Sequence, residues 1–229
     1  MVMTPTKNTD WNQIFVGEIL TLGLIGKAFY VYPEKAWMQA LIDGDLFAEA
    51  PFASEQPDVI AALATLQGWG EKNRSGLSEA AFVEIRVDYT RLFIGPGVVI
   101  APPWESVHFS EERLTFQQQT LEVREWYRRF GLQAEKIYQE PDDHVGLQLE
   151  FIAHLARLGL EAAEQNDSAA LETAVKAQRD FLTEHLFRWV IGWCDLVEKN
   201  AQTDFYRGMA RLCKGVMLET ASVLDTELS

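Results

Sequence analysis

Positive charge is scarce in this chain. Its 20 lysines and arginines stand against 34 aspartates and glutamates, a net charge of −14, and that excess repels nucleic-acid phosphates and the anionic face of a membrane. A cationic partner is favoured instead. Cysteine is nearly absent: Cys194 and Cys213 are the only two, and they form neither a CxxC nor a Cys/His metal spacing nor a disulfide framework. Catalytic signatures are missing as well. There is no G-x-S-x-G elbow, no cysteine beside a plausible histidine and no G-x-x-x-x-G-K-[ST] loop, and Gly95-Pro96-Gly97 is not followed by the lysine and helix start that a phosphate cradle needs. The expectation is therefore a protein that is not an enzyme and carries no cofactor. Glu150 and His154, four residues apart, would share a helix face, but no third ligand accompanies them and no metal is expected.

Long apolar runs are also rare. Ile14 to Tyr32 alone resembles a membrane span, yet it contains Glu18, Lys27 and three glycines. It reads as a buried amphipathic helix, with no stable membrane insertion. No basic leader with a cleavage site precedes it, so the expected compartment is the reducing cytoplasm.

What the chain does have is enough apolar material for a core: 48% of its 229 residues are hydrophobic, which suits a single domain over residues 1–229. Met1 to Asp10 is polar and expected to fray, with Thr9 or Asp10 as a helix N-cap. Helices are then expected over Trp11–Tyr32, from Pro33 to Asp43, over Pro57–Lys72 and from Ser78 toward Phe93. Beyond a loop, further helices are expected from Ser110 to Phe130, from Pro141 to Leu158 with Gly159 as the stop, from Asp167 toward His185, over Leu186–Lys199 and over Asp204–Leu224. Leu132 to Gln139 reads as a short extended piece. No segment alternates with a period of two for long, and the chain reads as all-α, a single helical domain of about nine or ten helices.

The main irregularity is central. Phe82, Ile85, Tyr89, Leu92 and Phe93 recur at helical spacings, and Gly95-Pro96-Gly97 then stops the helix. The loop that follows carries Val98, Val99, Ile100, Ala101 and Trp104, so it either packs down as a lid or offers a large side chain to a partner. Pro102-Pro103 stiffens the backbone before Trp104, whose indole presents apolar area with a donor at its edge; ordinary core packing is the competing reading. His144, in Glu140-Pro-Asp-Asp-His144, reads as a hydrogen-bonding group at a groove edge, fixed or charged by Asp143. The alternative is that Asp142 and Asp143 simply cap the helix.

Five pieces together resemble one family: Arg91-Leu-Phe-Ile-Gly-Pro96, Pro102-Pro-Trp-Glu-Ser-Val107, Glu140-Pro-Asp-Asp-His144, His185-Leu-Phe-Arg-Trp189 and Asp204-Phe-Tyr-Arg207. In this order and spacing they are similar to the TorD/DmsD/NarJ redox-enzyme maturation chaperones, the DmsD branch most closely. The first eighty or so residues match only in helical character and in Phe29-Tyr-Val-Tyr-Pro33.

The resemblance implies an all-α cytoplasmic chaperone. Its partner would be the twin-arginine signal peptide of a molybdoenzyme catalytic subunit, whose export it delays until the cofactor is in place, with Tat translocase components as further partners. It implies peptide-binding roles for Leu92, Phe93, Pro103, Trp104, Ser106, Asp143 and His144, with Tyr30 or Tyr32 alongside, and a monomer or helix-swapped dimer. Asp143 and nearby carboxylates would meet the leader's arginines while Phe93 and Trp104 take its apolar middle. A TorD-like chaperone that serves a different molybdoenzyme client and itself binds guanine nucleotide weakly, and a general helical scaffold for folded partners, are the competing functions. Against the DmsD pattern Gly97 and His108 replace tryptophans, and Glu105 and Gln117 replace glycines, differences that bear on which client is bound.

Overall fold

The structure, a computed structural model, describes residues 10–133 and 140–226. Most of the start expected to fray, Thr9 included, and most of the piece expected to be extended lie outside them. Among the described residues there are ten α-helices: α1 (Trp11–Tyr30), α2 (Lys35–Asp43), α3 (Pro57–Lys72), α4 (Glu79–Tyr89), α5 (Glu105–Phe109), α6 (Gln118–Arg129), α7 (Val145–Glu164), α8 (Ser168–Glu184), α9 (Val190–Asn200) and α10 (Asp204–Val223). The sole β-pairing among them is an isolated bridge between Trp104 and His144.

Local chemistry sets most helix starts. The Asp10 carboxylate accepts from the Gln13 amide, Ser78 Oγ from the Ala81 amide, and Asp167 from the amides of Ala169 and Ala170. Each satisfies donors that a first turn leaves without partners. Pro57 takes the first position of α3, where its missing N–H removes nothing.

Among the boundaries that differ from expectation, four have a clear physical reason. α1 ends at Tyr30 because Val31 is already extended and Tyr32 precedes a proline, which disfavours helical angles. Residues 110–117 are irregular, since Arg113 and Phe116 adopt left-handed φ of 54° and 58°. α7 begins only after His144, because the preceding aspartates turn their carboxylates away to other helices. It also runs through Gly159: that glycine marks a crossing, where an added Cβ would lie 2.5 Å from the Phe15 ring.

The core forms where α1 lies along α7, with α8 beyond, and where α10 packs on α3 and α9. α1 is long and apolar enough to cross a membrane, but half of that window is buried inside the protein, as a core helix requires. An aromatic cluster joins the two halves: Phe29 meets Phe93 and Trp193, and Phe93 meets Trp193 and Tyr206, with ring centroids 4.9–5.9 Å apart.

One acid sits within this core. Glu18 on α1 is 1% exposed and accepts a 2.9 Å hydrogen bond from Gln178 Nε2 on α8. Burial raises its carboxyl from 4.5 to about 7, against the smaller opposing pull of that bond. The folded protein therefore keeps a proton that the unfolded chain releases between those values. Stability from this group is lost as pH rises through the window, by roughly 3 kcal/mol in all. Glu18→Gln should melt at a temperature that falls less than the wild type's between about pH 5 and about pH 8; an equal fall in both would show that Glu18 is already ionised when folded.

Candidate functional site

Beyond α4 the chain widens for one turn instead of stopping. Thr90–Ile94 forms a π-helical turn, closed by the Gly95 amide donating to Thr90 O at 2.7 Å, and Gly95 then exits at φ 88°, a conformation open to glycine. The turn drives Leu92 and Phe93 inward, where both are buried. The loop folds back over them: the Ala101 amide donates to Leu92 O at 2.9 Å, and Trp193 Nε1 donates to Ala101 O at 3.2 Å. Ala101 to Pro103 is thereby buried while Val98 stays 81% exposed. The loop both packs down and leaves apolar surface in solvent.

The segment after the prolines is clasped to the start of α7. The Val145 amide donates to Pro103 O at 2.7 Å and the Glu105 amide to Asp143 O at 3.1 Å. The Asp143 carboxylate takes the Ser106 amide on one oxygen and the Thr120 hydroxyl on the other, both at 2.7 Å. It thus serves the first turn of α5, with no exposed surface of its own. Asp142 is buried beside it against Arg124, whose Nε and Nη2 lie 3.0 and 2.6 Å from the same oxygen. Glu105 is equally buried, held by Gln148 Nε2 at 2.9 Å and His185 Nδ1 at 3.1 Å. Asp143 is expected to meet arginines of a ligand; in this structure both its oxygens accept internal hydrogen bonds, as a buried carboxylate requires.

His144 is a hydrogen-bonding group, but what it bonds is its own helix. Neither aspartate caps α7; the imidazole does so itself, Nδ1 accepting from the Gly146 amide at 3.0 Å. Burial pushes its pKa down to about 3, so the ring is neutral and Asp143 does not charge it. Its faces carry the site. Tyr30 meets it edge-on at 5.1 Å between centroids and Trp104 at 5.9 Å. Trp104 is half-buried, and its Nε1 donates to Glu140 Oε1 at 2.7 Å.

Tyr32 extends this face. Its ring lies edge-on to Tyr89 at 5.4 Å, and the Tyr89 hydroxyl donates to Phe29 O at 3.0 Å, fixing the end of α1 beneath it. Burial foremost, and then the nearby charge of Glu140, pushes the Tyr89 phenol up, an electrostatic sign that Glu140 overlooks the same cluster.

Of the nine residues singled out in the sequence, Leu92, Phe93, Pro103, Ser106, Asp143 and His144 are buried, Tyr30 and Trp104 are half-buried, and Tyr32 is 40% exposed. They form one contiguous neighbourhood, but the surface it shows consists of Trp104, Tyr30 and Tyr32 with Glu140. Sequence reasoning overlooked Glu140 as the indole's partner and Tyr89 as the support of Tyr32; periodicity marks Tyr89 only as core, and nothing periodic marks Glu140. Among the described residues no three His, Cys, Asp or Glu side chains gather as metal ligands.

Residues 51–195 match the nitrate reductase delta subunit family. Over 200 residues, 85% of this chain and 84% of the relative, the sequence is 30% identical to the Tat proofreading chaperone DmsD of Salmonella typhi. Over 153 residues, 67% of this chain and 68% of the relative, it is 29% identical to the chaperone protein TorD of Vibrio cholerae.

Proposed function

The chain belongs to the nitrate reductase delta subunit family, and from that premise we propose that it is a redox-enzyme maturation chaperone. It binds the twin-arginine leader of a molybdoenzyme catalytic subunit and holds back export until the cofactor is in place. It works in the cytoplasm, where such leaders are made, and releases its client toward the Tat translocase. The observation that carries this reading is the half-buried indole of Trp104, fixed between a neutral imidazole and the Glu140 carboxylate in a chain of net charge −14. A leader of this kind joins a pair of guanidiniums to an apolar stretch. The ring face suits the start of the second, and the Glu140 carboxylate suits the first.

Within this reading the nine residues divide by task. Trp104, Tyr30 and Tyr32 touch the peptide, whereas Leu92, Phe93, Pro103, Ser106, Asp143 and His144 hold those rings in place. Nothing in the turn around Gly95 offers the lysine and helix start that a nucleotide-binding relative would need.

Calorimetry with a synthetic twin-arginine leader tests the proposal. Wild type should bind it, and should bind a scrambled peptide of equal composition at least about tenfold more weakly. Trp104→Ala should lose about tenfold or more in affinity with an unchanged circular-dichroism spectrum. Equal affinity for leader and scrambled peptide would instead favour a general helical scaffold.

A further inference from the structure

A stripe of aliphatic side chains beside this face has nothing covering it. α4 buries Ile85 and Tyr89 and turns Val83 and Val87, one helical turn apart, outward at 51% and 54% exposure. Past the end of the helix Ile94 and Val98 are exposed as well, at 54% and 81%. Single exposed aliphatics are ordinary, but these are not scattered. Val83, Val87, Tyr32 and Pro96 wall one groove of about 380 Å³, with Arg86 and Arg91 at its rim.

The groove shares Tyr32 with the candidate site: that ring rests on Tyr89, whose hydroxyl anchors the end of α1, and Tyr30 at the same helix end meets His144. Charge distinguishes its two ends. Glu140 stands at the Trp104 end. At the other, Arg91 is neutralised by Asp88 at 2.9 Å, but Arg86 has no carboxylate partner among the described residues. Its guanidinium lies over the Tyr32 ring at 5.0 Å, and its Nε donates to the Tyr32 hydroxyl at 3.3 Å. A cation there repels guanidiniums and leaves the valine walls to an uncharged chain.

We infer that this groove seats the apolar middle of the leader while its arginine pair lies at the Trp104 and Glu140 end, so that the bound peptide crosses the face in one direction only. This inference rests on the maturation-chaperone reading. It adds a subsite made of α4 and the turn that follows, and it assigns Arg86 a role in orientation by exclusion.

Val83→Asp and Val87→Asp test it at exposed positions where the fold is not at stake, which melting curves will verify. Each should weaken binding of the intact leader about tenfold. Both should bind a leader whose apolar stretch is replaced by serine and glycine as wild type does. Equal losses on both peptides, or no loss on either, overturn the subsite. For direction, a benzophenone in the apolar stretch should crosslink to α4, and one beside the arginines to the segment around Trp104 and Glu140; exchanged products overturn the orientation. If wild type binds no twin-arginine leader at all, the maturation reading fails. If it binds one that ignores both valine variants, the groove fails alone.

Discussion

Asp143→Ala should cost the fold about 3–5 kcal/mol and lower the melting temperature by about 10 °C. The carboxylate is wholly buried and accepts from the Ser106 amide and the Thr120 hydroxyl. Without it two buried donors have no acceptor, each worth about 1–3 kcal/mol, and a void remains at the junction of α5, α6 and α7. Denaturant unfolding measures the loss. The same variant separates scaffold from contact, since at a temperature where it is still folded its affinity for a leader should fall much less than that of Trp104→Ala. Undiminished stability with abolished binding would mean that the carboxylate reaches the peptide after all.

Gly146→Val should do more damage still, about 4 kcal/mol or more. α1 and α7 touch backbone to backbone here: a Cβ on Gly146 would lie 2.6 Å from Tyr30 Cβ and 2.8 Å from Gly26 O, and one on Gly26 would lie 3.0 Å from Gly146 O. Backbone atoms cannot rotate aside, so the helices must part. Tyr30, the ring on the other side of His144, moves with them, and leader binding should fall in parallel with stability. Gly23→Ala is the control, because nothing lies within 4 Å of a Cβ there. It should gain up to about 1 kcal/mol from helix propensity alone. A Gly146→Val protein as stable as wild type would show that the two helices can separate without loss.

What the sequence made legible was local. Ser78 and Asp167 signalled their helices because a cap acts within three residues, and Pro57 marked the start of α3 for the same reason. The boundaries that could not be read depend on distant partners. Asp142 and Asp143 look like the first turn of a helix until Arg124, Thr120 and Ser106 are known to claim them, and Gly159 looks like a stop until Phe15 is placed against it.

The candidate site shows the same division. Resemblance gathered its residues, but the burial of most of them was not legible. Several shared motifs proved to be internal fastenings. His185 holds Glu105, and the turn before Asp204 donates to buried Asp88 through the amides of Gln202 and Thr203, at 2.9 and 2.8 Å. Glu105, which stands where the DmsD branch has glycine, is wholly buried and engages Gln148 and His185.

The fastening of Trp104 also sets a timetable. Its indole is held by a carboxylate 36 residues downstream, and the neighbouring Glu105 by a histidine 80 residues downstream. In a nascent chain Trp104 is therefore made before either clasp. Closing loops of that length is entropically slow, so the receiving face matures late. Both clasps are present only once the chain has been made to just beyond α8.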